Sequence, residues 1–209
     1  MVYPTGKIVI APIIKLWIKE VNGIDNVPKN GPFIIAANHE SYMDHFIIVC
    51  TFILHLNKKI HFLSKKEHFD NIFKKAWHTY AGAIPLDRGA GGKEALKLAV
   101  RALKRGKIIA IHPEGTRTLT GKLQRGKTGV ARLALAAKVP VVPVGLIGTF
   151  EILPKGKYMP KLRKATMNIG KPMYFDKYYN KRITKKMLRE ITTSIMKEIA
   201  KLCKQEYKF

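Results

Sequence analysis

The sequence predicts an α/β domain, layered around a largely parallel central sheet flanked by helices. Three observations carry this expectation. Apolar runs of strand length recur at 33–37, 60–63, 108–111 and 141–146. Segments with helical periodicity lie between them, and no internal repeat is visible. Polar residues able to do chemistry follow directly on two of the apolar runs, at 38–44 and 112–117, and sites of α/β sheets gather at the carboxyl ends of strands. A chain of 209 residues fits one domain with at most a small appendage, and is long enough to bury a core without staples.

From Pro12 the chain reads as an amphipathic helix with Pro in its first turn. Ile13, Ile14, Trp17, Ile18 and Val21 share one face, and Lys15, Lys19 and Glu20 fall on the other. Such a helix serves either as an interfacial anchor or as a helix packed on the domain's own core. Residues 1–24 are taken as an N-terminal amphipathic, membrane-interacting segment and residues 25–209 as the main domain. Residues 22–32 form a turn-rich connector, and 33–37 a buried strand. Residues 38–44 lead into a helix ending near Leu56. A short strand at 60–63 precedes a helix over 67–80 that carries Phe69, Ile72, Phe73, Ala76 and Trp77. Residues 82–88 read as an irregular strand and turn, and 89–92 as a flexible Gly-rich stretch.

The helix over 93–105 has the clearest stripe, made of Leu96, Ala99, Val100 and Leu103, with Gly106 as its stop. A strand at 108–111 is followed by His112 to Arg117, and a helix is expected over 129–137. The strand at 141–146 contains Pro143, which places it at an edge or makes it irregular. A strand at 166–169 and a final helix over 184–204 complete the order. That helix bears Met187, Leu188, Ile191, Ile195, Ile199 and Leu202 on one side.

The formal net charge is +25. Nucleic acid and an anionic membrane surface are the usual partners of such a chain, and abundant solvated Lys is the plain alternative. The basic residues are spread along the chain, and no helix-turn-helix or finger spacing appears, so nucleic acid is not the expected partner. The loop at 154–164 is the most charged stretch and faces either phosphates or water. Cys50 and Cys203 sit in apolar, helix-like segments far apart, and are read as reduced, buried residues of a cytosol-facing protein in preference to a disulfide between them. No spacing suggests a zinc site, so no metal is expected. No small-residue cleavage site follows the first apolar run. The apolar runs at 8–14 and 46–56 fall short of the ~20 residues that cross a bilayer.

His39 is followed five places later by Asp44. A carboxylate can fix the tautomer of an imidazole and leave its other nitrogen free as a base near neutral pH. Chance alone supplies this spacing in about one such chain in six, so the remaining residues decide. Gly115 lets the backbone approach an anion. Arg117 offers a planar fork suited to phosphate, Thr116 adds a hydroxyl, and Arg88 follows a third extended segment as a second positive arm. A Gly-x-Ser-x-Gly elbow is missing, and Ser41 reads equally well as a helix cap. A base beside an anion cradle, with no protein nucleophile, points to a substrate hydroxyl attacking an already activated partner such as a thioester.

The stretch Asn38-His39-Glu40-Ser41-Tyr42-Met43-Asp44 resembles the first signature of the glycerolipid acyltransferases, whose bacterial branch includes the lysophosphatidic acid acyltransferases. Residues 83–88 resemble their second block, Pro113-Glu114-Gly115-Thr116-Arg117 the third and residues 139–144 the fourth. The segment 121–135 resembles the linker between blocks. All stand in family order and cover roughly residues 33–150.

The resemblance implies the glycerol-3-phosphate acyltransferase-like α/β fold for 25–209. It also implies direct acyl transfer from acyl-CoA or acyl carrier protein to the hydroxyl of lysophosphatidic acid, with no bound cofactor. In this reading His39 takes the hydroxyl proton and Asp44 orients the ring. Arg88, Gly115, Thr116 and Arg117 hold the acceptor's phosphate, and Glu114 positions an Arg or a glycerol hydroxyl. Another lysophospholipid or an amino-acid lipid is the alternative acceptor. The expected place of work is the cytoplasmic face of a membrane, reached as a peripheral or monotopic protein. His112 departs from the family's apolar residue and reads as structural, and His45 reads as a packing residue.

Overall fold

The computed structural model describes residue 4 and residues 6–65, 69–86 and 93–209. Seven strands form one sheet: β1 (Ile18–Asn22), β2 (Ile34–Ala37), β3 (Ile60–Lys65), β4 (Ala83–Leu86), β5 (Ile108–Ile111), β6 (Val141–Ile147) and β7 (Ala165–Ile169). Their order across the sheet is β1-β7-β6-β2-β5-β3-β4. Every pairing is parallel except β6 with β7. The helices are α1 (Ala11–Lys15), α2 (Met43–Leu56), α3 (Ile72–Tyr80), α4 (Lys93–Lys104), α5 (Gly129–Ala137), α6 (Thr149–Ile152) and α7 (Lys185–Leu202).

Strand β2 shows why the sheet must be covered on both faces. Its residues are all apolar and all buried, the pattern of a strand inside a parallel sheet. Phe33, Ile35 and Ala37 join a core with α2, and Ile34 and Ala36 join a second core with α4, α5 and α7. Caps set several helix limits. The Thr184 side chain accepts from Met187 N at the start of α7. Lys138 takes the left-handed conformation after α5, with its N–H on Ala134 O, the usual way to close a last turn.

Two expectations need correction. The helix drawn from Pro12 through Val21 ends at Lys15; one π-helical turn, Gly6–Ile10, precedes α1, and Ile18 and Val21 lie in strand β1. The register of β1 against β7 shifts between Ile18 and Glu20. That bulge lets two residues three apart pack on the same core, a spacing that mimics a helical stripe. Strand β6 is not an edge: it lies between β7 and β2. Val141 exchanges hydrogen bonds with Met173, and Pro143 O accepts from Gly170 N, so both residues aim their backbone at the β7 side. There the ladder with β7 begins only at Val144. The N–H that Pro143 lacks therefore falls where no strand residue needs it.

The topology places a crevice. Neighbouring strands β2 and β5 lead into helices that leave in opposite senses: α2 covers one face and α5 the other. Their carboxyl ends thus open at a switch point of the sheet. Ala36 pairs with Ile111, so the residues three beyond each, His39 and Glu114, stand level.

Candidate active site

His39 and Asp44 meet. Nδ1 of His39 lies 2.8 Å from Asp44 Oδ2. The same oxygen accepts from the backbone N–H groups of Glu40 and Ser41, each at 2.8 Å. Asp44 lies in the first turn of α2 and is fully buried, and the amides fold the 40–44 turn around its carboxylate. A carboxylate at Nδ1 assigns the proton to that nitrogen and leaves Nε2 as the acceptor. Burial pushes the Asp44 carboxyl up, and the Ser41 and Glu40 amides pull it back toward the ionised form. Burial also lowers His39 to about 3, with the Arg117 charge adding to the effect. Its ring is therefore neutral at physiological pH, the state a base requires.

The backbone of His39 is pinned from both sides. Its N–H donates to Glu114 Oε1 at 2.8 Å, and its carbonyl accepts from Thr118 N at 2.9 Å. The other oxygen of Glu114 accepts from Gln124 N and Nε2. Glu114 is buried, and burial raises its carboxyl to about 7. Its contacts make it a brace between the two loops: it holds the base's backbone and the 121–124 turn.

Gly115 has φ +73, and a Cβ there would press on the Lys127 side chain at 3.0 Å. A side chain at this position would meet strain and crowding together. Gly115, Thr116 and Arg117 line one cavity with His39. The Arg117 guanidinium lies 3.4 Å above the Tyr42 ring, a contact that ties the two loops together. Arg117 Nη1 is buried with no hydrogen-bond partner among the described residues, and such a donor favours an anionic oxygen. Arg88 lies outside the described residues.

The cavity has a volume of about 680 Å³. Its lining also includes Phe46, Val49, Cys50 and Ile53 of α2, Phe62 of β3, and Ile10 and Ala11. One opening thus combines a base, a cation and an apolar wall. Ser41 Oγ is engaged: it donates to Leu153 O at 2.7 Å and accepts from Met43 N at 3.1 Å. Burial pushes the Cys50 thiol up to about 11, which keeps it protonated and a poor nucleophile.

His112 and His45, read from the sequence as structural and packing residues, both pack on the base. The His112 ring stacks on His39 at 3.8 Å, 7° from parallel. Its Nδ1 faces the carbonyls of Ala37 and Asn38 at 3.0 and 2.9 Å, so it buttresses the base from behind. His45 joins them, its ring 5.4 Å from His39 and 5.0 Å from His112. These three offer nitrogens within 4.8 Å of one another, a spacing a metal could join. The stack decides against chelation in this arrangement: an ion binds in the plane of an imidazole, and two nearly parallel planes share no such point. Gln205 adds a brace from the far end of the chain, with Nε2 on Glu40 Oε1 and Gly121 O and Oε1 on Leu123 N. Lys155, from the most charged loop, also lines the cavity. His45 reaches His39 from the adjacent first turn of α2, whereas strand register and loop packing bring His112, Gln205 and Lys155 there, and no local spacing signals those three.

Comparison with known proteins identifies the family of the chain. A 1-acyl-sn-glycerol-3-phosphate acyltransferase of Bacillus subtilis is 31% identical over 162 residues, which cover 77% of this chain and 74% of that protein. A chloroplastic 1-acyl-sn-glycerol-3-phosphate acyltransferase of Arabidopsis thaliana is 32% identical over 156 residues, 69% of this chain and 42% of that longer protein. The crystal structure of the 1-acyl-sn-glycerophosphate (LPA) acyltransferase PlsC from Thermotoga maritima matches with a TM-score of 0.71 and 27% identity, over 96% of this chain and 80% of that one. The Acyltransferase family model matches residues 19–147, which include strands β2 to β6, β1 except Ile18, and both motif loops. The chain belongs to the Acyltransferase family.

Proposed function

We propose that the protein transfers a fatty acyl group from an acyl thioester, acyl-CoA or acyl carrier protein, to the free hydroxyl of lysophosphatidic acid, forming phosphatidic acid. The observation that carries this reading is the His39–Asp44 pair, opening on a cavity lined by both a cation and an apolar wall. His39 Nε2 accepts the proton of the acceptor hydroxyl while Asp44 holds Nδ1–H. The oxygen attacks the thioester carbonyl, and a tetrahedral intermediate forms. It collapses with loss of the thiolate, which takes the proton from His39. No acyl-enzyme is required, because Ser41 is engaged and the Cys50 thiol stays protonated. Arg117, with Gly115 and Thr116, receives the acceptor's phosphate, and the α2 wall receives an acyl chain. The acyl donor is a substrate, and no metal or resident cofactor takes part in this scheme.

The work place we propose is an anionic membrane surface on the cytoplasmic side, held peripherally or monotopically. Among the described residues no helix is long and apolar enough to cross a membrane.

The test mixes purified protein with lysophosphatidic acid and acyl-CoA and follows free thiol release. Wild type should turn over, and His39→Ala should lose ~10²–10⁴ in rate with an unchanged circular dichroism spectrum. Full activity in the variant would remove His39 as the base. Turnover confined to a different lysolipid would move the acceptor and leave the mechanism in place.

A further inference from the structure

The loop between α6 and β7 carries large apolar side chains in water. Tyr158, Met159 and Leu162 are 90%, 82% and 89% exposed, among five cations between 155 and 164. Exposed apolar residues interleaved with Lys and Arg are the composition of an interfacial element. The loop does not hang free of the site. Leu153 O, at its start, accepts from Tyr42 N and Ser41 Oγ of the catalytic turn. Lys161 N donates to Ile152 O, and Lys161 O accepts from Trp17 Nε1 at 3.0 Å. The Trp17 contact joins the loop to the N-terminal segment, where Ile8, Ile13 and Leu16 are also exposed. Lys155 lines the His39 cavity, as do Gly6, Lys7 and Ile10 of the N-terminal turn. Two apolar, basic elements therefore contribute to the lining of one cavity.

We propose that residues 155–164 form a membrane-insertion loop, in which Tyr158, Met159 and Leu162 enter the headgroup layer of an anionic bilayer and hold the cavity mouth against it. This rests on the reading that the enzyme works at a membrane, and adds which surface meets it. The chemistry fits a lipid surface: the apolar side chains need the acyl boundary, and Lys157, Lys161, Arg163 and Lys164 need phosphates beside it. A single shallow element binds membranes marginally, whereas two signals together give stable anchoring. The N-terminal turn and this loop supply two. An amphiphilic acceptor could then pass from bilayer to cavity without crossing water.

The test uses the full chain with Tyr158, Met159 and Leu162 all replaced by Ser. Co-sedimentation is measured with phosphatidylcholine vesicles, with and without phosphatidylglycerol. Thiol release is measured with vesicle-borne lysophosphatidic acid, and separately with a short-chain, water-soluble analogue. The three side chains make none of the loop's anchoring hydrogen bonds, so the fold should persist. Binding to anionic vesicles should fall by about tenfold or more, the scale of losing a few partly buried apolar side chains. The vesicle rate should fall with it, and the soluble-substrate rate should hold. Wild-type binding in the variant, or failure of wild type to sediment with either vesicle, would overturn the proposal. If wild type sediments through this loop but turns over no lysophosphatidic acid, the loop assignment stands and the acceptor assignment falls.

Discussion

Asp44, Glu40 and Glu114 crowd beneath His39, and their burial governs how the site responds to pH. Burial, with the Asp44 charge, raises Glu40 from 4.5 to about 8, and burial raises Glu114 from 4.5 to about 7. In the unfolded chain both carboxyls ionise near 4.5. The folded state thus binds more protons over this window, and stability is lost as pH rises through the folded values. His39 and His112 act in the opposite sense: each is held neutral down to about 3, so each weakens the fold only as pH drops below 6.5. Between about pH 7 and 8 the carboxyl effect outweighs the fading histidine effect, and the urea midpoint should fall across it. Glu40→Gln keeps Oε1 as acceptor for Asn38 and Gln205. It should flatten the fall and hold the pH 8 midpoint at or above wild type. An unchanged slope would mean that Glu40 is already ionised at pH 7. Legibility at this scale followed sequence distance. His39 and Asp44 lie five apart and announced themselves. The stack of His112 on His39 and the Arg117–Tyr42 contact need Ala36 set against Ile111, a register that no local pattern encodes.

Elements packed too closely for a side chain offer a sharper test of the fold. Strand β6 and the end of α7 meet at Gly145, where a Cβ would fall within contact distance of the Leu202 carbonyl carbon and Cys203 N. Backbone cannot rotate aside as a side chain can, so Gly145→Ala must separate strand from helix. Overpacking of this kind costs about 1–3 kcal/mol, occasionally more, and should show as a lower urea midpoint with activity at low temperature retained. A midpoint equal to wild type would mean that the contact relaxes freely. The same element shows where sequence reading stops. The apolar run of β6 was plain, but Pro143 suggested an edge or an irregular strand. The strand is central because its missing N–H falls beyond the last β7 pairing. The stripe of α7 was legible to within a residue or two, and so was α5. The N-terminal stripe was not, because a bulge gave β1 a helix-like spacing. Periodicity locates elements well when their geometry is regular, and a single bulge is enough to mislead it.

At the scale of the whole molecule, the net charge of +25 has two physical readings, and salt separates them. If the cations only solvate the surface, ionic strength leaves membrane association alone. If they meet anionic lipid, each well-placed Lys or Arg contributes about 1 kcal/mol near the surface. That attraction reaches only a Debye length, ~10 Å at 0.1 M and ~3 Å at 1 M salt. Raising sodium chloride from about 0.1 M to about 1 M should therefore release the protein from phosphatidylglycerol-containing vesicles by about tenfold or more. Apolar insertion does not weaken under the same change, so residual binding should persist through the exposed side chains of the N-terminal turn and the 155–164 loop. Turnover of a short-chain soluble acceptor should respond differently. Arg117 lies partly buried on the Tyr42 ring beside the base, and buried charge is screened far less than exposed charge. The vesicle rate should thus fall with salt while the soluble rate falls much less. Equal salt dependence of the two rates would place the effect of charge in the cavity itself. Binding to anionic vesicles that ignores salt would reduce the +25 to solvated surface.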